Sequence, residues 1–209
     1  MMPFAMPRMS TLIRPVVTAV LLALGSAPAT AANDPTAVVE RFHESLLAVM
    51  KEARVLDARA RYDRLAPSLE ESFNLRQMIR IAAGTYWTQA TEADRNRLTA
   101  AFKHLSISTY AARFDGYSGQ TFHTLGTRPG PVGTLLVDTE IRSPGEPAVA
   151  ITYVMRNAGD RWSVVDVLLE GGISELAVRR SEYSRVLRER GIEGLVADLD
   201  RKADDLIRH

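Results

Sequence analysis

The spacing of apolar residues changes twice along this 209-residue chain, and that change limits the folds it can adopt. Up to about residue 120, apolar residues recur every three or four positions, as they do on one face of an α-helix. From there to about residue 169 they alternate with polar residues, as in half-buried β-strands. The helical spacing returns after Gly171-Gly172. Helices followed by strands and again by helices indicate an α+β domain rather than an alternating βαβ fold.

The N-terminal half contains residues that typically begin helices. An aspartate, asparagine or threonine side chain can accept a hydrogen bond from a free backbone N–H of the first helical turn. The predicted N-caps are Asp34, Asp57, Asn74 and Thr91. Pro67 predicts the end of the helix that Asp57 begins, because proline inside a helix removes one hydrogen bond. A separate short helix is then expected at Leu69 and Phe73.

The middle of the chain predicts an antiparallel sheet of about four strands. The expected strands are 120–127, 135–141, 149–155 and 162–169. Turn residues lie at 143–147 and 157–160, so consecutive strands are joined by short connections. Apolar side chains occupy both faces of the last two strands, whereas a sheet that is open to water on one side has polar side chains on that face. We therefore expect the N-terminal and C-terminal helices to cover the sheet.

The N-terminus has the order of a cleavable signal peptide. Arg8 and Arg14 precede an apolar run at 16–24, and small residues follow at 29–31. An uncleaved membrane anchor is the alternative, but this run is shorter than the roughly 20 apolar residues that span a bilayer. The chain has no cysteine for a lipoprotein anchor. We therefore expect residues 1–32 to be removed on export and residues 33–209 to form a single domain.

Charge and chemistry exclude several classes of function. The 26 Lys and Arg residues balance 25 Asp and Glu residues, and no block of like charge indicates a nucleic-acid site or a polybasic tail. The absence of cysteine excludes a cysteine nucleophile and thiolate metal sites. The histidines are not spaced as metal ligands usually are; they are His43, His104, His123 and His209. We therefore expect no catalytic residues, no metal and no cofactor.

Asp166 is the carboxylate that most needs an explanation. It shares strand parity with Val164 and Leu168, which predicts a covered face, and a charge on such a face requires a partner. Arg179 or Arg180 could supply that partner from the following helix. We interpret Asp166 and Arg180 as a structural clamp between strand and helix. The alternative is that Asp166 acts as a general base.

Two ordered sets of residues resemble the MlaC family, also called the toluene-tolerance auxiliary proteins. The first set comprises Tyr62-Asp63, 65–67, 73–78, 84–87, Thr91, Phe102 and Thr109-Tyr110. The second comprises 149–155, 159–167, Glu170-Gly171, Ile173-Ser174 and 180–183. The family commonly reads Asn-Tyr-Arg-Ser-Gln-Phe where this chain has 178–183, Val-Arg-Arg-Ser-Glu-Tyr. That variant is more similar to the hopanoid-biosynthesis-associated branch, HpnM.

The resemblance implies a mixed α+β domain whose helices and sheet enclose an apolar cavity. It also implies a periplasmic carrier whose cargo is phospholipid or a hopanoid. Such a carrier has an inner-membrane ABC transporter complex and an outer-membrane lipoprotein complex as partners, and contacts membranes only transiently. The expected lining residues are Phe73, Met78, Trp87, Phe102, Tyr110, Tyr153, Val165, Val167, Tyr183 and Leu187.

Two other functions fit the sequence. An enzyme on a related cone-shaped α+β fold would require an acid–base cluster at the floor of the cavity, for which the candidates are Asp166 and His104. A non-ligand adaptor subunit would have a filled core. Each expected lining residue can equally be an ordinary core residue, because periodicity does not distinguish a side chain that faces a cavity from one that faces another side chain.

Overall fold

The computed structural model describes residues 34–159 and 161–208, and its elements follow the order expected from the sequence. The helices are α1 (Pro35–Glu52), α2 (Ala58–Ser72), α3 (Leu75–Ala83), α4 (Thr85–Gln89), α5 (Glu92–Arg113) and α6 (Glu175–Ile207). The strands are β1 (Thr121–Pro129), β2 (Thr134–Arg142), β3 (Val149–Asn157), β4 (Trp162–Leu169) and β5 (Ile173–Ser174). The predicted signal peptide lies outside the described residues.

The four predicted N-caps are confirmed. The side chains of Asp34, Asp57, Asn74 and Thr91 each accept a hydrogen bond from a backbone N–H of the helix that follows. The acceptor distances lie between 2.7 Å for Asp57 and 3.1 Å for Thr91. These caps satisfy donors that would otherwise be left free at the helix ends.

The prediction that Pro67 ends a helix is wrong. Helix α2 continues through Pro67 to Ser72, so Leu69 belongs to the same helix as Leu65. Both leucines are fully buried. A proline inside a helix costs about 3 kcal/mol, whereas burial of each leucine contributes about 1.5–3 kcal/mol. The burial on both sides of Pro67 therefore outweighs the lost hydrogen bond.

The strands form one antiparallel sheet in the order β1-β2-β3-β4-β5. The α+β class and the four expected strands are confirmed. The sheet has in addition the two-residue strand β5, which pairs with Leu168 and Leu169 at the end of β4. A strand of two residues is too short to show alternation, so the sequence pattern did not reveal it.

One face of the sheet packs against the helices. Val137 on β2, Tyr153 and Met155 on β3 and Val164 on β4 are buried in a core that includes Phe42 of α1. Helix α6 bends at Gly191, whose φ of 65° is outside the helical range. No helix among residues 34–159 and 161–208 has the length and apolarity needed to cross a membrane.

A β-bulge in β4 changes the face on which Asp166 lies. Val154 pairs with Asp166, whereas the next residue of β3, Met155, pairs with Val164, so Val165 is the extra residue of the bulge. Because neighbouring residues of β3 point to opposite faces, Asp166 and Val164 are on opposite faces of the sheet. The expectation that they share a face is therefore wrong.

The partners of Asp166 also differ from those expected. Its carboxylate accepts hydrogen bonds from the Ser174 hydroxyl (2.6 Å) and from the Leu176 backbone N–H (3.1 Å). Arg180 lies instead beside Gly84. A methyl group added at Gly84 would be 3.7 Å from the Nη2 atom of Arg180. Asp166 thus joins β4 to the first turn of α6, as a clamp would, but without the arginine predicted for it.

We predict that Asp166→Asn destabilises the fold by about 1–3 kcal/mol, because the amide cannot accept every hydrogen bond that the carboxylate accepts. The free energy of unfolding in urea measures this loss. Asp63→Asn is the control: Asp63 is an exposed aspartate of α2, paired with Arg59, and its substitution should change stability by less than about 0.5 kcal/mol. A loss of function in Asp166→Asn at an unchanged unfolding midpoint would contradict the clamp.

Candidate functional site

A cavity of about 130 Å³ lies between the inner face of the sheet and helices α2, α3, α5 and the start of α6. Its apolar walls comprise Leu69, Phe73, Leu75, Met78, Phe102, Phe114, Ile151, Tyr153, Val167, Leu169 and Leu176. The polar residues that line it are Ser106, Thr109, Tyr110, Arg113, Glu175 and Arg179. Arg113 is exposed, so the cavity reaches the surface near the end of α5.

One face of α5 supplies much of the wall. Phe102, Ser106, Tyr110 and Arg113 follow one another at steps of three or four residues, so they share that face. The hydroxyl of Ser106 donates to the Phe102 carbonyl within the helix (2.7 Å). Thr109 makes the same type of bond to the Leu105 carbonyl (2.7 Å). These two hydroxyls are satisfied by their own helix, so they add no free donor to the wall.

The sheet side of the cavity contains Tyr153, whose polar end is bonded to a buried histidine. The Tyr153 hydroxyl lies 2.9 Å from Nε2 of His43. The His43 ring stacks on Phe122, with ring centroids 4.3 Å apart. Burial lowers the pKa of His43 to about 4 and raises that of Tyr153 well above its usual value. Both rings are therefore neutral near pH 7, and the tyrosine ring adds to the apolar wall.

Arg179 dominates the polar rim. Only a fifth of its side chain is exposed, and its guanidinium lies 5.7 Å from the centre of the Phe102 ring. It donates to the Tyr183 hydroxyl at 3.3 Å. Its Nη2 is 4.0 Å from a carboxylate oxygen of Glu175, one turn earlier on α6. Burial lowers the pKa of Arg179, but neighbouring Tyr183 and Glu175 raise it more. The arginine is therefore charged.

The structure places six of the ten expected lining residues around this cavity. They are Phe73, Met78, Phe102, Tyr110, Tyr153 and Val167. They come from the segment after α2, from α3 and α5 and from two strands, so only the tertiary fold brings them together. Whether they contact a ligand stays a prediction.

The other four expected residues are mostly buried elsewhere. Trp87 is buried beneath Arg76 and Arg95, whose guanidinium carbons lie 5.3 Å and 5.8 Å from its ring centre. Val165 is the buried residue of the β4 bulge. Tyr183 and Leu187 face the core from α6. Tyr183 reaches the rim only through its hydrogen bond with Arg179.

Several lining residues were absent from the sequence prediction. Ser106, Thr109 and Arg113 lie on the same face of α5 as the predicted Phe102 and Tyr110. Their helical spacing was a usable signal, but their polarity argued against an apolar wall. Glu175 and Leu176 begin α6, and no pattern in the sequence indicates that the first turn of a helix borders a cavity.

The residues suggested for an acid–base cluster do not meet at this cavity. His104 of α5 faces the end of α6, where it lies 3.5 Å from Asp200 and 3.6 Å from Asp204. Asp166 is bonded to Ser174 and Leu176 and is not part of the lining. Within the part of the chain that the structure describes, no three His, Asp or Glu residues are grouped so as to hold a metal ion.

A larger depression of about 520 Å³ lies where α6 bends, and its chemistry differs from that of the cavity. Charged residues make up most of its lining, namely Glu182, Arg185, Glu189, Arg190, Asp198 and Lys202. Arg190 is paired with Asp198 across it. A charged groove of this kind does not provide an apolar environment, so the cavity under the sheet is the better candidate site.

We predict that His43 makes stability depend on pH. The unfolded chain binds a proton at His43 near pH 6.5, whereas the folded chain does so only near pH 4, so stability falls as pH is lowered between these values. The loss should be on the order of 3 kcal/mol. His43→Gln keeps a hydrogen-bonding group near Tyr153 and removes the titration. Between pH 6.5 and 4, the free energy of unfolding of this variant should change less than that of the wild type. If the free energies of both proteins fall equally with pH, the prediction is wrong.

Comparison with known proteins identifies the family. The structure of the phospholipid-binding protein from Ralstonia solanacearum, solved in complex with a phospholipid, superposes with a TM-score of 0.72. The two chains are 24% identical, and the match covers 83% of this chain and 98% of the other. The two therefore share a fold. The profile of the family described as MlaC protein matches residues 40–201, from within α1 to within α6. The chain belongs to the MlaC family.

Proposed function

We propose that this protein is a periplasmic carrier that binds phospholipid in the cavity between sheet and helices. The observation that carries the proposal is a cavity with apolar walls and a charged rim, set in a fold of the MlaC family. This arrangement suits a molecule with a hydrocarbon tail and a polar head. The Ralstonia solanacearum protein of the same fold is described as phospholipid-binding, which supports phospholipid as the cargo here.

A carrier is needed because hydrocarbon tails are poorly soluble. Each exposed methylene costs about 0.8 kcal/mol in water, so a long acyl chain costs on the order of 10 kcal/mol. A dry apolar cavity offers the tail an environment similar to that in the bilayer. Because the two environments are similar in free energy, lipid can both enter the protein and leave it.

The cavity has to widen when lipid is loaded. Its volume of about 130 Å³ is close to that of an engineered cavity that admits benzene, and is smaller than typical ligand pockets of about 300–1,000 Å³. Met78 and Leu75 of α3 and Leu176 of α6 form part of the wall and contact other elements through side chains. Rotation of such side chains, in particular of the unbranched Met78, would admit a tail.

The cellular role that we propose follows from family membership and the N-terminal sequence. Residues 1–32 would direct export and be removed, which leaves residues 33–209 in the periplasm. The carrier would move phospholipid between an outer-membrane lipoprotein complex and an inner-membrane ABC transporter complex. A hopanoid-type lipid is the alternative cargo, since 178–183 are more similar to the HpnM branch.

The structure supports a carrier over the two other functions considered. An enzyme would need an acid and a base at the cavity, but Glu175 is the one carboxylate of the described lining, and it lies beside Arg179. An adaptor subunit would have no reason to leave space beneath its sheet. The cavity therefore favours binding of a ligand.

Co-purified lipid tests the proposal directly. We expect an organic extract of protein purified from the periplasm to contain phospholipid when examined by mass spectrometry. The same extraction applied to an unrelated periplasmic protein of similar size controls for carry-over. A clean extract, together with failure to take up phospholipid from vesicles, would contradict the proposed function, and a hopanoid in place of phospholipid would correct the cargo.

We predict that Val167→Trp reduces the amount of bound phospholipid severalfold while the fold survives. Val167 lines the cavity, so an indole would occupy space needed by the tail. Overpacking should cost about 1–3 kcal/mol of stability. Val149→Trp is the matched control, because Val149 is a partly exposed β-strand valine outside the lining. Lipid per folded protein is measured after exchange with vesicles. Equal lipid content in both variants would remove the cavity assignment.

A further inference from the structure

The rim of the cavity carries more positive than negative charge. Arg113 and Arg179 are its two basic residues, and Glu175 is its one acidic residue among those described. The apolar walls lie beyond this rim. These three residues are the charged groups that the described lining offers to the polar part of a ligand whose tail fills the cavity.

Arg179 has hydrogen-bonding capacity that the protein leaves unused. A guanidinium has five N–H donors. Among the described residues, Arg179 makes one side-chain hydrogen bond, to Tyr183, and its distance to Glu175 is at the limit of an ion pair. Partly removing a charge from water without full pairing is costly. An anionic group at the rim would supply the missing acceptors.

Arg113 and Tyr110 line the same cavity as Arg179 and carry further donors. Within residues 34–159 and 161–208, Arg113 makes no side-chain ion pair or hydrogen bond, and it is exposed at the end of α5. The Tyr110 hydroxyl likewise has no hydrogen-bond partner in that part of the chain. Burial raises the pKa of Tyr110, and the positive charges of Arg179 and Arg113 oppose that rise, so both guanidinium groups act on its hydroxyl.

We propose that Arg179 and Arg113 bind the phosphate of a phospholipid whose acyl chain occupies the cavity, with the Tyr110 hydroxyl as a further donor. This inference rests on the proposed function and specifies the class of cargo. Arginine binds phosphate through parallel N–H···O bonds. A phosphodiester carries one negative charge, which balances the excess positive charge of the rim.

The same rim disfavours neutral lipids. A hopanoid or a diacylglycerol brings no anion to the two arginines. Glu175, whose carboxylate is at the limit of an ion pair, would then remain the sole carboxylate near Arg179 in the described lining. Glu175 competes with the phosphate for Arg179, because both are anions at the same guanidinium. Removing the Glu175 charge should therefore strengthen phospholipid binding, which is the opposite of the effect expected for a residue that only supports the fold.

The test compares two lipids that differ only in the phosphate-containing headgroup. Delipidated mature protein is equilibrated with vesicles containing either dipalmitoyl phosphatidylglycerol or dipalmitoylglycerol, and bound lipid is quantified by mass spectrometry. We expect the wild type to bind the phospholipid at least about 10-fold more tightly. Arg179→Met, which retains an apolar stem over Phe102, and Arg113→Gln should each lose most of this preference. Glu175→Gln should increase phospholipid binding severalfold.

The controls separate this inference from the proposed function. Arg188→Gln changes an exposed arginine of α6 outside the cavity and should behave like the wild type. If the wild type binds both lipids equally and the rim variants bind like it, the phosphate assignment is wrong and the carrier stands. Loss of both lipids to the same extent in the rim variants would also overturn the assignment.

Binding of neither lipid by the wild type would remove the proposed function as well. Inorganic phosphate alone should bind far more weakly than phosphatidylglycerol, because it gains nothing from burial of a tail. Equal affinity for inorganic phosphate, measured by calorimetry, would show an anion site unrelated to lipid and would overturn the inference. Arg113 is exposed, so Arg113→Gln keeps the test available even if Arg179→Met does not fold.

Discussion

Unfilled space beneath the sheet is the constraint on which the rest of this structure depends. Protein interiors are normally close-packed, so the side chains that line unfilled apolar space of about 130 Å³ make fewer contacts than side chains of a closed core. A hydrocarbon tail in this space would make those contacts and bury its own surface, which is the physical basis of the lipid binding that we propose.

Much of the fold could be predicted from local sequence. The N-caps at Asp34 and Thr91 and the change of period near residue 120 depend on neighbouring residues alone. The bulge at Val165 could not be predicted, because the register of β4 is set by its pairing with Val154 and Met155 of β3. Continuation of α2 through Pro67 likewise depends on tertiary burial of the surrounding leucines.

The candidate site was also predictable only in part, because the tertiary fold decides which inward-facing residues meet at the cavity. Periodicity indicates that Phe102 and Tyr110 face inward, but not whether a cavity or another side chain lies opposite them. Trp87 has the same apolar character, yet its ring is covered by two arginines away from the cavity. The sequence offers Arg179 or Arg180 as a partner of Asp166, because both are charged and near Asp166 in the chain. In the fold, the bulge turns Asp166 toward the start of α6, and Arg179 borders the cavity instead.

The clamp and the cavity are connected through the first turn of α6. Asp166 holds the backbone N–H of Leu176, while Glu175, Leu176 and Arg179 all line the cavity. The positions of Glu175 and Arg179 relative to the apolar residues of the sheet are therefore set by this clamp.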